Sequence, residues 1–391
     1  MPPLPEARAF ETTSPGLSSL EVPTSLSTNR LPATLLQGSP FSHFPMSDLK
    51  SLLRARALEL GFADCRVARA APAEHRRLYE QWVADGCHGD MAWMARNMER
   101  RMDPTLVQPG ALSIIVLAMN YHQGPGHPAP DYRIARYAWN EDYHDLIERR
   151  LLDLDSWLTA HGGTQRRYVD TGPVLERNWA SAAGLGWGGK STMQIHRKLG
   201  TWFFLAELIT TLEIEPDPPS RDHCGTCTRC ISACPTQAIT APRRLDARRC
   251  VSYLTIENKG PIPLEFRRAI GDRIYGCDDC LIACPWNKFA EISQEASFQA
   301  RQSIFNHRLR DFLSLDDDGF RSLFAKSPIK RIKRHAFLRN VCVALGNTGT
   351  QDDLPALLPL TKDPHPLIAE HAAWAISEIR ARFQPTPSPA A

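Results

Sequence analysis

The sequence predicts an α+β protein in three parts: a mixed helix-and-strand α/β domain, a cysteine-rich metal domain and a helical C-terminal region. Three observations carry this. Apolar runs of strand length alternate with amphipathic helices in the first half, eight of the eleven cysteines fall between Cys224 and Cys284, and apolar helical segments resume beyond them. With 391 residues, 43% of them hydrophobic and 23% charged, the chain can bury more than one core. No apolar run approaches the roughly 18 residues of a membrane span, so a membrane-embedded protein is excluded. A net charge of +3 names no partner by itself.

Residues 1–45 hold eight prolines and no helical or strand period, and are expected to be a disordered extension. Folding is expected to begin at Met46, itself a candidate start. Asp48 can cap a helix that places Leu49, Leu52, Leu53, Ala57 and Leu60 on one face and ends at Gly61. Between 46 and 215, Ile114-Ile115-Val116-Leu117-Ala118 and Trp202-Phe203-Phe204-Leu205 read as buried strands. A helix over about 141–159 carries Ile147, Leu151, Leu154 and Leu158 on one face and closes at Gly162-Gly163. This gives an α+β or α/β domain. Pro216, Pro218 and Pro219 mark the next boundary, so 216–300 is the cysteine domain. In 301–383, Phe337 to Leu345 and Ala369 to Ile379 are helical, with Ala344 and Ala375 about one repeat apart. One or two HEAT-like repeats or a plain helical cap would both produce this pattern. Residues 384–391 are expected to fray.

Cys224-x-x-Cys227-x-x-Cys230-x-x-x-Cys234-Pro235 is the spacing of bacterial ferredoxins. A second run, Cys277-x-x-Cys280-x-x-x-Cys284-Pro285, follows, with Cys250 between them. Eight thiolates are the number that two 4Fe-4S clusters need. Crossed ligation gives Cys224, Cys227, Cys230 and Cys284 to one cluster and Cys234, Cys250, Cys277 and Cys280 to the other; uncrossed ligation is the alternative. Structural zinc normally uses two separated Cys-x-x-Cys pairs, which is not this pattern. Cys65, Cys87 and Cys342 are expected to be buried free thiols. No positively charged start leads into an apolar signal segment, so a cytoplasmic protein with reduced thiols is expected.

Two clusters relay electrons, so the first domain is expected to hold an acceptor. It lacks Gly-x-Gly-x-x-Gly, which argues against a Rossmann-bound nicotinamide or flavin. The run Gly184-Leu185-Gly186-Trp187-Gly188-Gly189-Lys190 suits close backbone approach to a large ligand. Asp170 follows the apolar pair Tyr168-Val169 at a strand end, where it reads equally as a turn cap or a proton donor.

Several segments outside the cysteine runs make the chain resemble the epoxyqueuosine reductases from about Met46 to Arg380. They are Asp142-Tyr143-His144, Tyr168-Val169-Asp170-Thr171-Gly172, Ala183-Gly184-Leu185-Gly186-Trp187, Asp246-Ala247-Arg248-Arg249-Cys250, Arg273-Ile274-Tyr275-Gly276-Cys277-Asp278-Asp279-Cys280 and Glu370-His371-Ala372-Ala373-Trp374-Ala375-Ile376. The resemblance implies a cobalamin cofactor, cycling between cob(II)alamin and cob(I)alamin and fed by the two 4Fe-4S clusters. It implies reduction of epoxyqueuosine to queuosine at the tRNA wobble position, the last step of queuosine synthesis. It places the general acid at Asp170, whose pKa burial against the corrin would raise, and sets Arg101, Lys190, Leu205, Ser252 and Asp278 near the corrin. Asp142-Tyr143-His144 and Asp363-Pro364-His365 both lack the glycine of the Asp-x-His-x-x-Gly lower-ligand motif, so cobalt without a His ligand is expected.

Between Asp318 and Asp352 there is no acidic residue, while Arg321, Lys326, Lys330, Arg331, Lys333, Arg334 and Arg339 are all basic. One-signed clustering favours phosphate contact, so Lys330, Arg331, Lys333 and Arg334 are candidate tRNA contacts, with Arg177 and Lys259 as further ones. A monomer with an unidentified electron donor is expected. The alternatives are a cobalamin-dependent reductive dehalogenase of small organohalides and an iron-sulfur electron-transfer protein.

Overall fold

Strand β2 (Ser113–Asn120) can be an unbroken apolar run because both of its faces are covered. In the computed structural model, which describes residues 46–129 and 131–383, it sits inside a four-stranded sheet of order β1-β2-β4-β3. The other strands are β1 (Asp64–Arg69), β3 (Gln165–Tyr168) and β4 (Phe203–Thr210). The expectations for 1–45 and 384–391 lie outside the described residues.

Every pairing in this sheet is antiparallel. β1 meets β2 from Asp64↔Ala118 to Arg69↔Ser113, β2 meets β4 from Ser113↔Thr210 to Asn120↔Phe203, and β3 meets β4 from Gln165↔Thr210 to Tyr168↔Glu207. The expected α/β domain is therefore corrected to α+β: no parallel βαβ crossover is built into this sheet.

On one face Ile115, Leu117, Ala206 and Leu208 pack against α1 (Met46–Glu59) and α2 (Tyr143–Ala160), through Leu53, Ala57, Ile147, Leu151, Leu154 and Leu158. On the other, Ile114, Val116, Phe203 and Ile209 meet Trp179 and Ala180 of α3 (Glu176–Ala182). Helix α2 starts where the sequence indicates, with Asp142 capping through the His144 N–H. Helix α1 starts earlier than expected. Asp48 lies in its first turn rather than at its cap, and Leu52 is 43% exposed.

The cysteine segment is tied to the sheet domain by its own backbone. Its strand Arg273–Tyr275 pairs in parallel with Arg133–Ile134, which delivers Cys277 next to the residues preceding α2. Beyond it, the helices α4 (Lys333–Thr348) and α5 (Pro366–Phe383) share one core through Phe337, Val341, Ala372, Ala375 and Ile379. Arg339 belongs to this packing. It is 0% exposed and donates to the carbonyls of Asn258, Gly260 and Leu254 at 2.8, 2.7 and 2.9 Å.

The glycine-rich run also differs from expectation. A Cβ on Gly184 would lie 2.2 Å from the Pro218 carbonyl oxygen, and one on Gly186 would lie 2.1 Å from that of Ile195. These glycines admit close approach of the chain's own backbone, not of a ligand. Cys65 and Cys342 are buried as expected, whereas Cys87 is half-buried. Among the described residues no helix is long and apolar enough to cross a membrane.

Candidate active site and cluster-binding region

Asp170 follows β3 with φ at 59°, a left-handed turn in a non-glycine residue. Its carboxylate receives a hydrogen bond from the Tyr143 hydroxyl at 2.9 Å and faces His144 Nε2 at 3.6 Å. His144 Nδ1 lies 2.6 Å from Asp142, the cap of the same helix. One helix start therefore supplies two consecutive side chains, Tyr143 and His144, to Asp170, and a third, Asp142, that holds His144.

The electrostatics correct the expectation that Asp170 stores the proton. Burial pushes its carboxyl up, but hydrogen bonds from His144 and Tyr143, with the charge of His144, outweigh this and hold it below the usual carboxylate range. The side chain is still 63% open to solvent. His144 takes the opposite shift. Burial pulls it down, yet hydrogen bonds to Asp142 and Asp170 and their charges raise it to about 9. At neutral pH the proton of this group resides on the imidazole.

Arg101 joins the same loop, its guanidinium donating to the Gly172 carbonyl at 3.2 Å and to that of Trp93 at 3.3 Å. Leu205 shares the apolar face of Val174 and Trp179 beside it. Ser252 and Asp278 meet elsewhere, around Cys277. The Ser252 hydroxyl donates to the Cys277 carbonyl at 3.4 Å, and Asp278 accepts the Arg136 N–H at 2.6 Å. Burial raises Asp278 to about 6 despite Arg136. Lys190 donates to the Gly225 carbonyl, between Cys224 and Cys227, at 2.6 Å.

The Asp170 loop and the cysteine segment are joined by aromatic side chains. Tyr143 lies edge-on to Tyr137 at 6.2 Å between ring centres, and the Tyr137 and Tyr275 hydroxyls are 3.4 Å apart, two residues before Cys277. The eight cysteines are all free. They influence one another in two sets: Cys284 with Cys224, Cys227 and Cys230, and Cys280 with Cys234, Cys250 and Cys277. Among the described residues no three His, Cys, Asp or Glu side chains close around a single ion. A cubane asks for a wider set, because each thiolate binds a different iron.

The basic segment is only partly one-signed in three dimensions. Arg321 pairs with Asp318, Arg331 with Glu257 and Arg334 with Asp363, while Arg339 is buried and faces no solvent. Lys326, Lys330 and Lys333 are exposed and make no ion pair among the described residues. Arg177 is exposed with its guanidinium on the Thr192 carbonyl at 2.8 Å, and Lys259 is exposed. Asp142, His144 and Asp145 line one side of a cavity of about 300 Å³ whose other side is Lys326, Ser327, Lys330 and Arg331.

Sequence reasoning gave no role to Tyr143, His144, Glu176 or Glu207. Glu207 did carry a signal: it is the single charged residue in the apolar run Phe203-Phe204-Leu205-Ala206-Glu207-Leu208-Ile209.

An ionised carboxylate beside a protonated imidazole, joined through tyrosines to a segment with two thiol quartets, defines an iron-sulfur oxidoreductase. Comparison with known proteins agrees. The family model of the 4Fe-4S double cluster binding domain matches residues 223–287, and that of epoxyqueuosine reductase QueG matches 101–171. An epoxyqueuosine reductase of Xanthomonas campestris is 42% identical over 342 residues, covering 85% of this chain and 96% of the relative. The chain belongs to the epoxyqueuosine reductase family. The crystal structure of an epoxyqueuosine reductase with an epoxyqueuosine-modified tRNA-Tyr stem loop superposes with a TM-score of 0.79 at 32% identity, covering 86% of this chain and 91% of the other. The Bacillus subtilis enzyme, solved with its catalytic aspartate loop swung out of the active site, gives 0.78 at 31% identity, with coverages of 86% and 91%.

Proposed function

We propose that Asp170, Tyr143 and His144 are the proton-handling centre at which this enzyme reduces epoxyqueuosine in tRNA to queuosine. The single observation that carries the reading is the contact of Asp170 with Tyr143 and His144 on a loop open to solvent. The reaction consumes two electrons and two protons and releases the epoxide oxygen as water. His144, protonated at neutral pH, hands its proton to Asp170, which faces the substrate and relays it to the epoxide oxygen, and solvent supplies the second proton. Tyr143 holds the Asp170 carboxylate in place. Its own proton is not available, because burial and the Asp170 charge raise the phenol far above its ordinary value. That the Bacillus subtilis relative carries a catalytic aspartate on a loop supports giving the Asp170 loop this role.

Two quartets of thiols bind the two 4Fe-4S clusters in the crossed arrangement: Cys224, Cys227, Cys230 and Cys284 for one, Cys234, Cys250, Cys277 and Cys280 for the other. The family also implies cobalamin. Arg101 Nε is enclosed without a hydrogen-bond acceptor among the described residues, and Arg101 flanks the Asp170 loop. An unsatisfied donor beside an apolar strand residue, Leu205, fits a ligand fringed with amide carbonyls, as cobalamin is. When bound, it supplies the reducing centre that opens the epoxide. Ser252 and Asp278 would meet it from the cluster side. Lys190, held on Gly225, is placed to orient the first cysteine run.

The wobble base reaches the Asp170 loop past the cavity that His144 shares with Lys326, Lys330 and Arg331, while Lys333, Arg177 and Lys259 meet flanking phosphates. The helices α4 and α5 form a HEAT-like support for this basic edge. An anaerobic assay of reconstituted protein with cobalamin, a chemical reductant and epoxyqueuosine-containing tRNA tests the reading. Nucleoside mass spectrometry should show loss of one oxygen; a protein with both clusters and cobalamin bound that leaves the nucleoside unchanged overturns it.

A further inference from the structure

Glu207 stands where an apolar residue would be expected. It is the central residue of β4 and 0% exposed, and its neighbours on that face, Leu205 and Ile209, pack with Trp179 and Ala180. Neither Oε1 nor Oε2 has a hydrogen-bond donor among the described residues. An ionised carboxylate in such a layer would lack all compensation for lost water. The polar group it does meet is the carboxyl of Glu176, the first residue of α3, within hydrogen-bonding range. Two carboxyls bond to each other only when one keeps its proton. Glu176 Oε1 in turn accepts the backbone N–H of Asp170 at 2.7 Å, on the residue whose φ is 59°.

We propose that Glu176 and Glu207 are positioning residues for Asp170: they share one proton, and that proton keeps Glu176 latched to the Asp170 backbone so that the carboxylate stays against Tyr143 and His144. The inference rests on Asp170 as the reacting carboxyl and adds to that reading what holds its loop. The acid hydrogen of Glu207 donates to Glu176, leaving the second Glu176 oxygen to accept from Asp170. Loss of the shared proton places two negative charges side by side, with the Asp170 carboxylate as a third. Repulsion then separates the pair and frees the loop.

The direction of the pH response follows from what surrounds the pair. Burial raises both carboxyls and the negative charge of Asp170 raises both further; Glu176 also raises Glu207, whereas the hydrogen bonds from Glu207 and from the Asp170 backbone N–H pull Glu176 part of the way back. Arg177, from the same helix as Glu176, lowers Glu176, but its guanidinium is engaged by the Thr192 carbonyl. Tyr168 of β3 stands opposite Glu207 without donating to it, Tyr143 feels the Glu176 charge directly, and both Tyr143 and His144 contact Asp170. The latch is therefore set on the acid side of the pair's titration and opens on the alkaline side.

The test uses the holoenzyme and three variants: Glu207→Gln, Glu207→Leu and Glu176→Ala. Amide hydrogen exchange over residues 169–175, corrected for base catalysis, reads the latch, and the infrared stretch of a protonated carboxyl reads the proton. In the parent protein, exchange of this segment should accelerate about tenfold as the carboxyl band disappears with rising pH. Glu207→Gln replaces the acid hydrogen with an amide N–H. It should lose the band, keep the segment protected across pH and move the alkaline limb of kcat upward. Glu207→Leu and Glu176→Ala should lose protection at every pH and lower kcat about tenfold or more with KM little changed, as expected of a misplaced catalytic group. A parent protein without the band at neutral pH, or a Glu207→Gln enzyme with the parental alkaline limb, refutes the shared proton. Unchanged protection in Glu207→Leu refutes the latch. Asp170→Asn retains its backbone N–H, so band and protection should persist there. Full turnover by that variant would overturn the acid assignment and leave the latch standing.

Discussion

The Tyr143 hydroxyl and the Asp170 carboxylate are 2.9 Å apart, and this bond ties the first turn of α2 to the loop after β3. Neither residue is near the other in sequence. The sheet brings them together: β3 lies at its edge beside β4, and α2 crosses the face where Ala206 and Leu208 point.

Asp170→Asn should lower turnover by about 10²-fold or more while both clusters and cobalamin remain bound, since one positioned acid contributes roughly that much. Single-turnover kinetics with absorbance spectra of the bound groups checks this. A variant with near-parental turnover removes Asp170 from the mechanism.

His144 makes stability depend on pH. Its folded value of about 9 lies above the roughly 6.5 of an unfolded histidine, so its contribution is complete below about 6.5 and is lost as pH rises through about 9. Asp142 and Asp170 have the opposite sign: both are held below their ordinary values, so their contribution is present above it and is lost as pH falls through the folded values. Urea unfolding between pH 6 and 10 should show a decline that His144→Gln flattens. Equal slopes in the two proteins would contradict the ion pair.

The crossed thiol sets predict which cysteine serves which cluster. Cys284→Ser should lose the same cluster as Cys227→Ser, and Cys234→Ser the same one as Cys280→Ser, each halving iron from about eight to about four per chain. Electron paramagnetic resonance of the reduced variants distinguishes the remaining cluster. Matching spectra for Cys284→Ser and Cys280→Ser would indicate uncrossed ligation.

The basic segment divides into surface and interior. Lys330→Ala with Lys333→Ala should leave stability unchanged, weaken tRNA binding and reduce the logarithmic salt slope by about one to two, the share of two phosphate contacts. Arg339→Met should cost about 1–3 kcal/mol of stability, because three buried carbonyls lose their donor. Its salt slope should remain parental. A reduced slope in Arg339→Met would place that side chain at the RNA after all.

The cysteine spacing, the apolar run of β2, the helix α2 and the two C-terminal helices were legible from the amino-acid order, because each is a local pattern: ligand spacing or side-chain period. The antiparallel sheet was not, since a run buried on both faces looks alike in parallel and antiparallel pairing. The glycines of Gly184-Leu185-Gly186 showed that something approaches closely, but not that it is the backbone of Pro218 and Ile195.

By itself the sequence determined the two-cluster chemistry and the position of Asp170 at a strand end, because spacing and chain order are one-dimensional properties. Tertiary structure decided the charge states and the partners. It put an imidazole and a phenol on Asp170, which keep it ionised, and a second carboxyl against Glu207. It also took Arg339 out of solvent and gave Arg331 and Arg334 acidic partners from distant segments. Electrostatic energy depends on distance and on burial, and residues far apart in the chain acquire both only when it folds.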